Sequence, residues 1–226
     1  MTFTILFEDR DILVCIKPEK TAVQNSKSGV PDMVSILKNY LHQNSTQKGE
    51  PYLGVIHRLD QPVAGILVFA KTPRAAKELN RQLQNGGFGK YYLALLTKKP
   101  DAPEGTLTDY MVKDSRSNTS RICPASTPGA KKAVLHYEII PRTEEFSFLS
   151  AFDTQLPLAN IHLDTGRHHQ IRVQMAHMGC PIAGDQKYGP SSASENSKSY
   201  KTLALWAYRL TFIHPFTKKQ LDFRLP

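Results

Sequence analysis

The chain has 226 residues, 40% of them hydrophobic, with 29 Lys and Arg against 20 Asp and Glu and a formal net charge of +9. That is enough apolar material for one large domain or two small ones with a shared core. A globular chain this basic is drawn to polyanions, of which nucleic acid is the commonest, so charge favours an RNA or DNA partner over a merely basic soluble protein. Cys15, Cys123 and Cys180 are widely spaced and form no Cys-x-x-Cys pair, which argues against a structural zinc site of the usual kind and fits a reducing cytoplasm. The N-terminus, MTFTILFEDRDILV, carries Glu8, Asp9 and Asp11 and lacks the apolar core of a signal peptide. No apolar run is long enough to span a bilayer, so a cytoplasmic protein with no membrane partner is expected.

From the N-terminus, FTILFEDRDILVCIKP reads as strand, turn and strand, with Ile12, Val14 and Ile16 on one face and Pro18 ending the run. Residues 32–41, DMVSILKNYL, place Met33, Ile36, Leu37, Tyr40 and Leu41 on a helical stripe behind Asp32 as a cap. A polar loop, HQNSTQKGEP, follows. Residues 52–72, YLGVIHRLDQPVAGILVFAKT, predict two strands around a polar knot of His57, Arg58, Leu59 and Asp60. Thr72 and Pro73 open a helix whose buried face is Ala75, Ala76, Leu79 and Leu83, and Gly86-Gly87 stops it. KYYLALLT is the next strand. Between residues 105 and 132, weak strand signals lead into a basic, serine-rich loop, KDSRSNTSR.

AVLHYEII, FSFLSAF and LANIHLD read as three successive antiparallel strands. TGRHHQIRVQMAHMG predicts a further helix, opened by Gly166 and closed by Gly179, with Ile171, Met175 and Met178 at helical spacing. SSASENSKSYK is expected to be a mobile loop, and strands around LALWAYRLTFIHP and QLDFRLP finish the chain. No repeat or composition break divides it, and the first strand begins almost at residue 3. The expectation is therefore α+β: a mixed, mostly antiparallel β-sheet with flanking helices, one domain over residues 1–226, and no room for an appended N-terminal RNA-binding domain.

Three constellations can carry chemistry. Asp60 sits on a loop based on two strands; a carboxylate there can be a nucleophile, a general base, half of an ion pair, or only a turn-stabilising residue. Arg58 beside it is equally readable as a solvated cation. In LDTGRHHQIRVQMAHMGCPIAGDQKYG, residues 163–189, the donors Arg167, His168, His169, Gln170 and Arg172 cluster at a helix start, a site suited to phosphate. Metal binding by His162, His168, His169 and His177 competes with that reading, but the spacing lacks His-Glu-x-x-His and the nearest acid, Asp164, precedes the helix. Third, strand alternation sends Tyr91 and Tyr92 to opposite faces, one toward the core and one toward a surface on which an unstacked base can lie, unless both are core. GGFGK is a poor nucleotide-binding loop, with no P-loop ending.

Taken in order, HRLDQPVAGILVFAKT, KYYLALL and TGRHHQIRVQMAHMGCPIAGDQKYG resemble the RluA-type pseudouridine synthases, and DILVCIKPEKTAVQ and LALWAYRLTFIHP resemble the family's first motif and C-terminal strand. The resemblance covers nearly the whole chain. It implies the pseudouridine synthase catalytic fold with a central active-site cleft, isomerisation of uridine to pseudouridine in rRNA or tRNA, base flipping, and no cofactor, nucleotide or metal. It implies a monomer. It assigns Asp60 as the catalytic carboxylate, Arg172 as the cation that pairs with it, and Tyr92 as the residue that stacks on the flipped uracil. A cation within ~4–6 Å of a carboxylate lowers its pKa and fixes its orientation. His57, Arg58, Arg167, His169, Gln170 and Ile171 are the implied contacts to RNA or base, Arg58 filling the space the nucleotide leaves or holding its phosphate, Ile171 forming an apolar wall. The chain departs from the family at His168, where a small polar residue is usual, and at Gln61, Pro62 and Val63. A non-catalytic RNA-binding domain and a metal-assisted hydrolase built on the histidines are the rival readings.

Overall fold

A computed structural model describes residues 3–25, 29–44, 49–143, 146–189 and 200–226. In chain order the elements begin with β1 (Thr4–Glu8), β2 (Ile12–Lys17), α1 (Met33–Gln43), β3 (Gly54–Val55), β4 (Ala64–Ala70) and α2 (Pro73–Gln84). Next come β5 (Gly89–Leu95), β6 (Glu104–Asp114), β7 (Thr119–Ile122), β8 (Lys131–Ile140) and a 3-10 turn at Ser147–Leu149. The chain ends with β9 (Leu158–Leu163), α3 (Gln170–His177), β10 (Leu205–Ile213) and β11 (Gln220–Arg224). The strand pairs in both units are antiparallel, and helices are few, which is the α+β class expected. None of the described helices is long and apolar enough to cross a membrane.

The chain forms two compact units, residues 1–90 with 207–225, and residues 91–206 with 226. In the first, the strands run β1-β2-β4-β10, with β11 beside β10 and β3 beside β4. Its core joins Ile12 and Val14 of β2, Ile66 and Val68 of β4, Ala75 and Leu79 of α2, Phe88, and Leu210 and Phe212 of β10. Two caps fix the helices. The Asp32 side chain accepts from the Ser35 amide while the Ser35 hydroxyl accepts from the Asp32 amide, and the Thr72 hydroxyl accepts from the Ala75 amide ahead of Pro73. Gly65 has φ +145°, and an added Cβ would run into the Ala207 backbone, so only glycine serves there.

In the second unit the strand order is β5-β9-β8-β6-β7. Two segments of it differ from the strand and loop expected. The serine-rich stretch is not a loop: β6 runs through Lys113 and Asp114 and pairs with β7 as a hairpin, Lys113 opposite Ser120. The Asp114 carboxylate closes the turn by accepting from the Arg116 amide and the Ser117 hydroxyl, and Asn118 takes the left-handed φ of 49°. FSFLSAF is not a strand either. Amides of Leu149 and Phe152 donate to carbonyls three residues back, so the segment coils. The coil puts Phe148 and Phe152 together on the Trp206 ring, at 5.1 and 5.5 Å. The region 191–199 of SSASENSKSYK and residues 45–48 of HQNSTQKGEP lie outside the described residues.

Candidate active site

The residues singled out from sequence fall into two groups, one in each unit. In the first unit, β3 and β4 flank the polar knot as expected. Ile56, Leu59 and Val63 are buried and anchor the loop, while Arg58 is exposed and His57 and Asp60 are half-buried. The Val63 amide donates to the Asp60 carbonyl at 3.0 Å, closing a tight turn. Lys17, at the end of β2 opposite Gly65, has no solvent exposure. Its ammonium donates to the carbonyls of Pro18, Thr21 and Gln61 at 2.9, 2.7 and 3.0 Å. A buried charge ringed by oxygens thus ties the Asp60 loop to the chain after β2, and the Gln61 amide group adds a bond to the Lys20 carbonyl at 3.0 Å.

Desolvation pushes the Lys17 pKa down to about 8, against the pull of the Asp60 and Glu19 carboxylates. Lys17 thus presents a cation that the Asp60 carboxylate stabilises. Sequence reasoning missed it. The available signal was a lysine closing the apolar run ILVCIK just before Pro18. His57 turns out to be built into the scaffold: its Nε2 accepts from the Val68 amide at 3.3 Å and its ring meets Phe88 edge-on. Desolvation, helped by the Lys90 ammonium, drives its pKa down to about 3, so it is neutral.

In the second unit, α3 starts at Gln170, four residues after Gly166, correcting the expected start. His169 occupies the capping position in the left-handed region, φ 54°, and its side chain makes no capping bond. The turn is held by side chains instead. The Gln170 carbonyl oxygen accepts from the Thr165 hydroxyl at 2.8 Å and the Arg167 amide at 2.9 Å. Its NH2 group donates to the Val134 carbonyl and to Gln174. Arg167 is exposed, with Nε on the Lys132 carbonyl at 2.8 Å.

Arg172 is 5% exposed, and its guanidinium makes a two-pronged pair with Asp185, Nε to Oδ2 at 2.8 Å and Nη2 to Oδ1 at 2.6 Å. Burial raises the Asp185 pKa, but the Arg172 guanidinium and the amides of Lys187 and Tyr188 outweigh it and hold the carboxyl below its usual range. Gly184 precedes it at φ +75°, where a side chain would strike the Thr202 carbonyl. The Tyr188 ring lies 5.1 Å from the Arg172 guanidinium carbon, and its hydroxyl accepts from the Ser120 amide and meets His169 Nδ1 at 2.7 Å. The hydroxyl and Nδ1 share one proton, as suits a neutral imidazole. This agrees with a pKa pushed down to about 3 by burial and then by Arg172. His168 stacks on His169 at 3.7 Å and bonds Ser120 Oγ. Asp185 and Tyr188 were not named as site residues from sequence; the signal was their fixed place in GDQKYG, just past the helix.

Ile171 is buried on α3, and Tyr92 is buried on β5 opposite Ile161. Tyr91, on the other face, stacks on His162 at 4.7 Å. The four-histidine metal set is not assembled: among the described residues, the group within ligand reach joins His162 to His136 and Asp164, without His168, His169 or His177.

Residues 11–177 match the family model described as RNA pseudouridylate synthase. The chain belongs to this family of RNA pseudouridine synthases, which are isomerases. It is 33% identical to the ribosomal large subunit pseudouridine synthase D of Pasteurella multocida, covering 100% of this chain and 68% of that one. It is 34% identical to the protein of the same name from Haemophilus influenzae, covering 98% and 66%. The chain thus spans about two thirds of the length of these relatives. The solved human RNA pseudouridylate synthase domain containing 4 shares the fold, with a TM-score of 0.77 at 23% identity over 99% of this chain and 88% of that one.

Proposed function

We propose that this chain isomerises uridine to pseudouridine in structured RNA, ribosomal or transfer, acting in the cytoplasm as a monomer whose residues 1–226 serve as a single catalytic domain. The reaction breaks N1–C1′, turns the base and joins C5 to C1′; the C5 proton is lost and N1 gains one. Nothing is oxidised and nothing leaves, so the chemistry calls for no redox cofactor, metal or nucleotide. The uracil must leave its stack, at a cost of a few kcal/mol, which favours loops over paired helices.

Asp60 is the catalytic carboxylate. The observation that carries this role is the Lys17 ammonium, buried and bonded to the Gln61 carbonyl, which holds the loop and favours an ionised acid next to it. Tyr92 stacks on the extruded uracil, and its hydroxyl assists the proton lost from C5. Arg172, fixed by Asp185, supplies a cation in a set orientation. Arg58 and Arg167, both exposed, meet phosphate, and Ile171 walls the base. His57, His169 and Gln170 contribute by holding the loops from which RNA is contacted, because their side chains are bonded within the protein. Ribosomal RNA is favoured as substrate by the names of the relatives.

The test is conversion by the purified chain of large-subunit rRNA and tRNA transcripts, read as pseudouridine at single positions. Site-specific product in chelator-treated buffer is expected. Stoichiometric RNA binding without product from either transcript set would leave a binding domain instead.

A further inference from the structure

On one face of the second unit, a row of side chains crosses four strands in register. Tyr91 of β5 faces His162 of β9, His162 faces His136 of β8, and His136 faces Thr106 of β6. Asp164 lies two residues after His162 and reaches both histidines: its Oδ2 is 2.9 Å from His136 Nε2 and its Oδ1 is 3.7 Å from His162 Nδ1. The nitrogen and oxygen atoms of these three residues lie within 4.8 Å of one another. From these contacts we propose that His136, His162 and Asp164 form a binding site for one Zn2+-type transition-metal ion, apart from the residues assigned to the reaction.

The distances suit such an ion. Tetrahedral Zn2+ with bonds of about 2.1 Å spaces its ligands about 3.4 Å apart, so the three side chains close on a metal with small rotations. Both histidines are also pre-oriented. His136 Nδ1 bonds the Thr106 hydroxyl at 2.8 Å, which leaves Nε2 for the metal, the outer-sphere arrangement that fixes ring and tautomer at metal-binding histidines. In the metal-free protein Nε2–H donates to Asp164 Oδ2 and the Thr106 hydroxyl donates to Nδ1; a metal displaces the Nε2 proton, and Nδ1 then donates to the Thr106 oxygen. The Tyr91 ring, 25° from coplanar with His162 at 4.7 Å, sets the plane of the second imidazole. Two imidazoles and one carboxylate favour Zn2+ over Mg2+ or Ca2+, which take oxygen ligands. The side chains are 45%, 36% and 44% exposed, so the remaining coordination position opens to water. Bound there, the ion cross-links β8 to β9.

The experiment titrates Zn2+ into the chelator-treated full chain by calorimetry, with Co2+ as a second probe read by its visible absorption. One Zn2+ per chain is expected, with no competition from Mg2+, and with a thermal midpoint that rises with Zn2+. His136→Ala and His162→Ala each weaken binding by about 100-fold or more, beyond the range of outer-sphere changes, and Thr106→Val weakens it by about tenfold. His177→Ala, which removes an exposed histidine outside the cluster, leaves it unchanged. Absence of stoichiometric Zn2+ and Co2+ binding overturns the proposal. So does equal binding by wild type and His136→Ala, which places the ion elsewhere.

Discussion

In the first unit the buried Lys17 ammonium joins the Asp60 loop, through the Gln61 carbonyl, to the carbonyls of Pro18 and Thr21. In the second, the turn before α3 and the Arg172 guanidinium are held by a set of side chains: Gln170, Asp185, Tyr188, His169 and Ser120. The first device is one charge with neutral acceptors, and it leaves the neighbouring carboxylate half-buried. The second is an ion pair reinforced at each end. The contrast is between a loop tied through its backbone carbonyls and an arginine tied through its side chain.

The ion pair gives the largest expected effect. Asp185→Ala removes the two-pronged partner of a buried guanidinium and is expected to cost about 3–5 kcal/mol in urea unfolding, with loss of turnover. A cost near zero would mean that the side-chain network does not hold Arg172. Lys17→Met, similar in bulk, leaves three carbonyls short of a donor and is expected to cost about 2–3 kcal/mol. It should lower turnover more than RNA affinity. An equal fall in both would detach Lys17 from Asp60.

A smaller effect distinguishes the units by pH. His57 and His169 have folded pKa values of about 3 against 6.5 unfolded, so the unfolded chain binds more protons between those values. The stability they confer is complete above about pH 6.5 and is lost as pH falls toward 3, each contributing a slope of up to about 1.4 kcal/mol per pH unit. His57→Gln should flatten the slope by one proton and leave that of His169 intact; an unchanged slope would contradict the neutral acceptor role. Smallest is Arg58→Ala, expected to change stability by less than about 0.5 kcal/mol while weakening RNA binding and reducing its salt dependence. An unchanged salt slope would remove Arg58 from the phosphate contacts.

Much of the scaffold was legible because local rules determined it. Asp32 and Thr72-Pro73 cap α1 and α2 as their spacing requires, and β2 and β4 form as expected, paired in register and buried on both faces. The failures share a cause. FSFLSAF has the composition of a strand, but its rings are drawn onto Trp206, more than fifty residues later in the chain. The serine-rich hairpin hid because its strands carry Lys113, Asp114 and Arg121 at exposed positions beside a polar turn. Among the candidate residues, Asp60 and Arg172 stood out through motifs, but what holds each of them did not. Lys17 reads as an ordinary strand-end lysine until the Gln61 carbonyl lies over it. His136 belongs beside His162 only through strand register, which no local pattern encodes.

The central claim, that Asp60 starts the isomerisation, is tested most directly by single-turnover conversion of a uridine-containing RNA by Asp60→Asn beside wild type, with RNA affinity measured on the same samples. The account predicts that product disappears while affinity and unfolding midpoint hold. Pseudouridine formed by Asp60→Asn at the wild-type rate would contradict it.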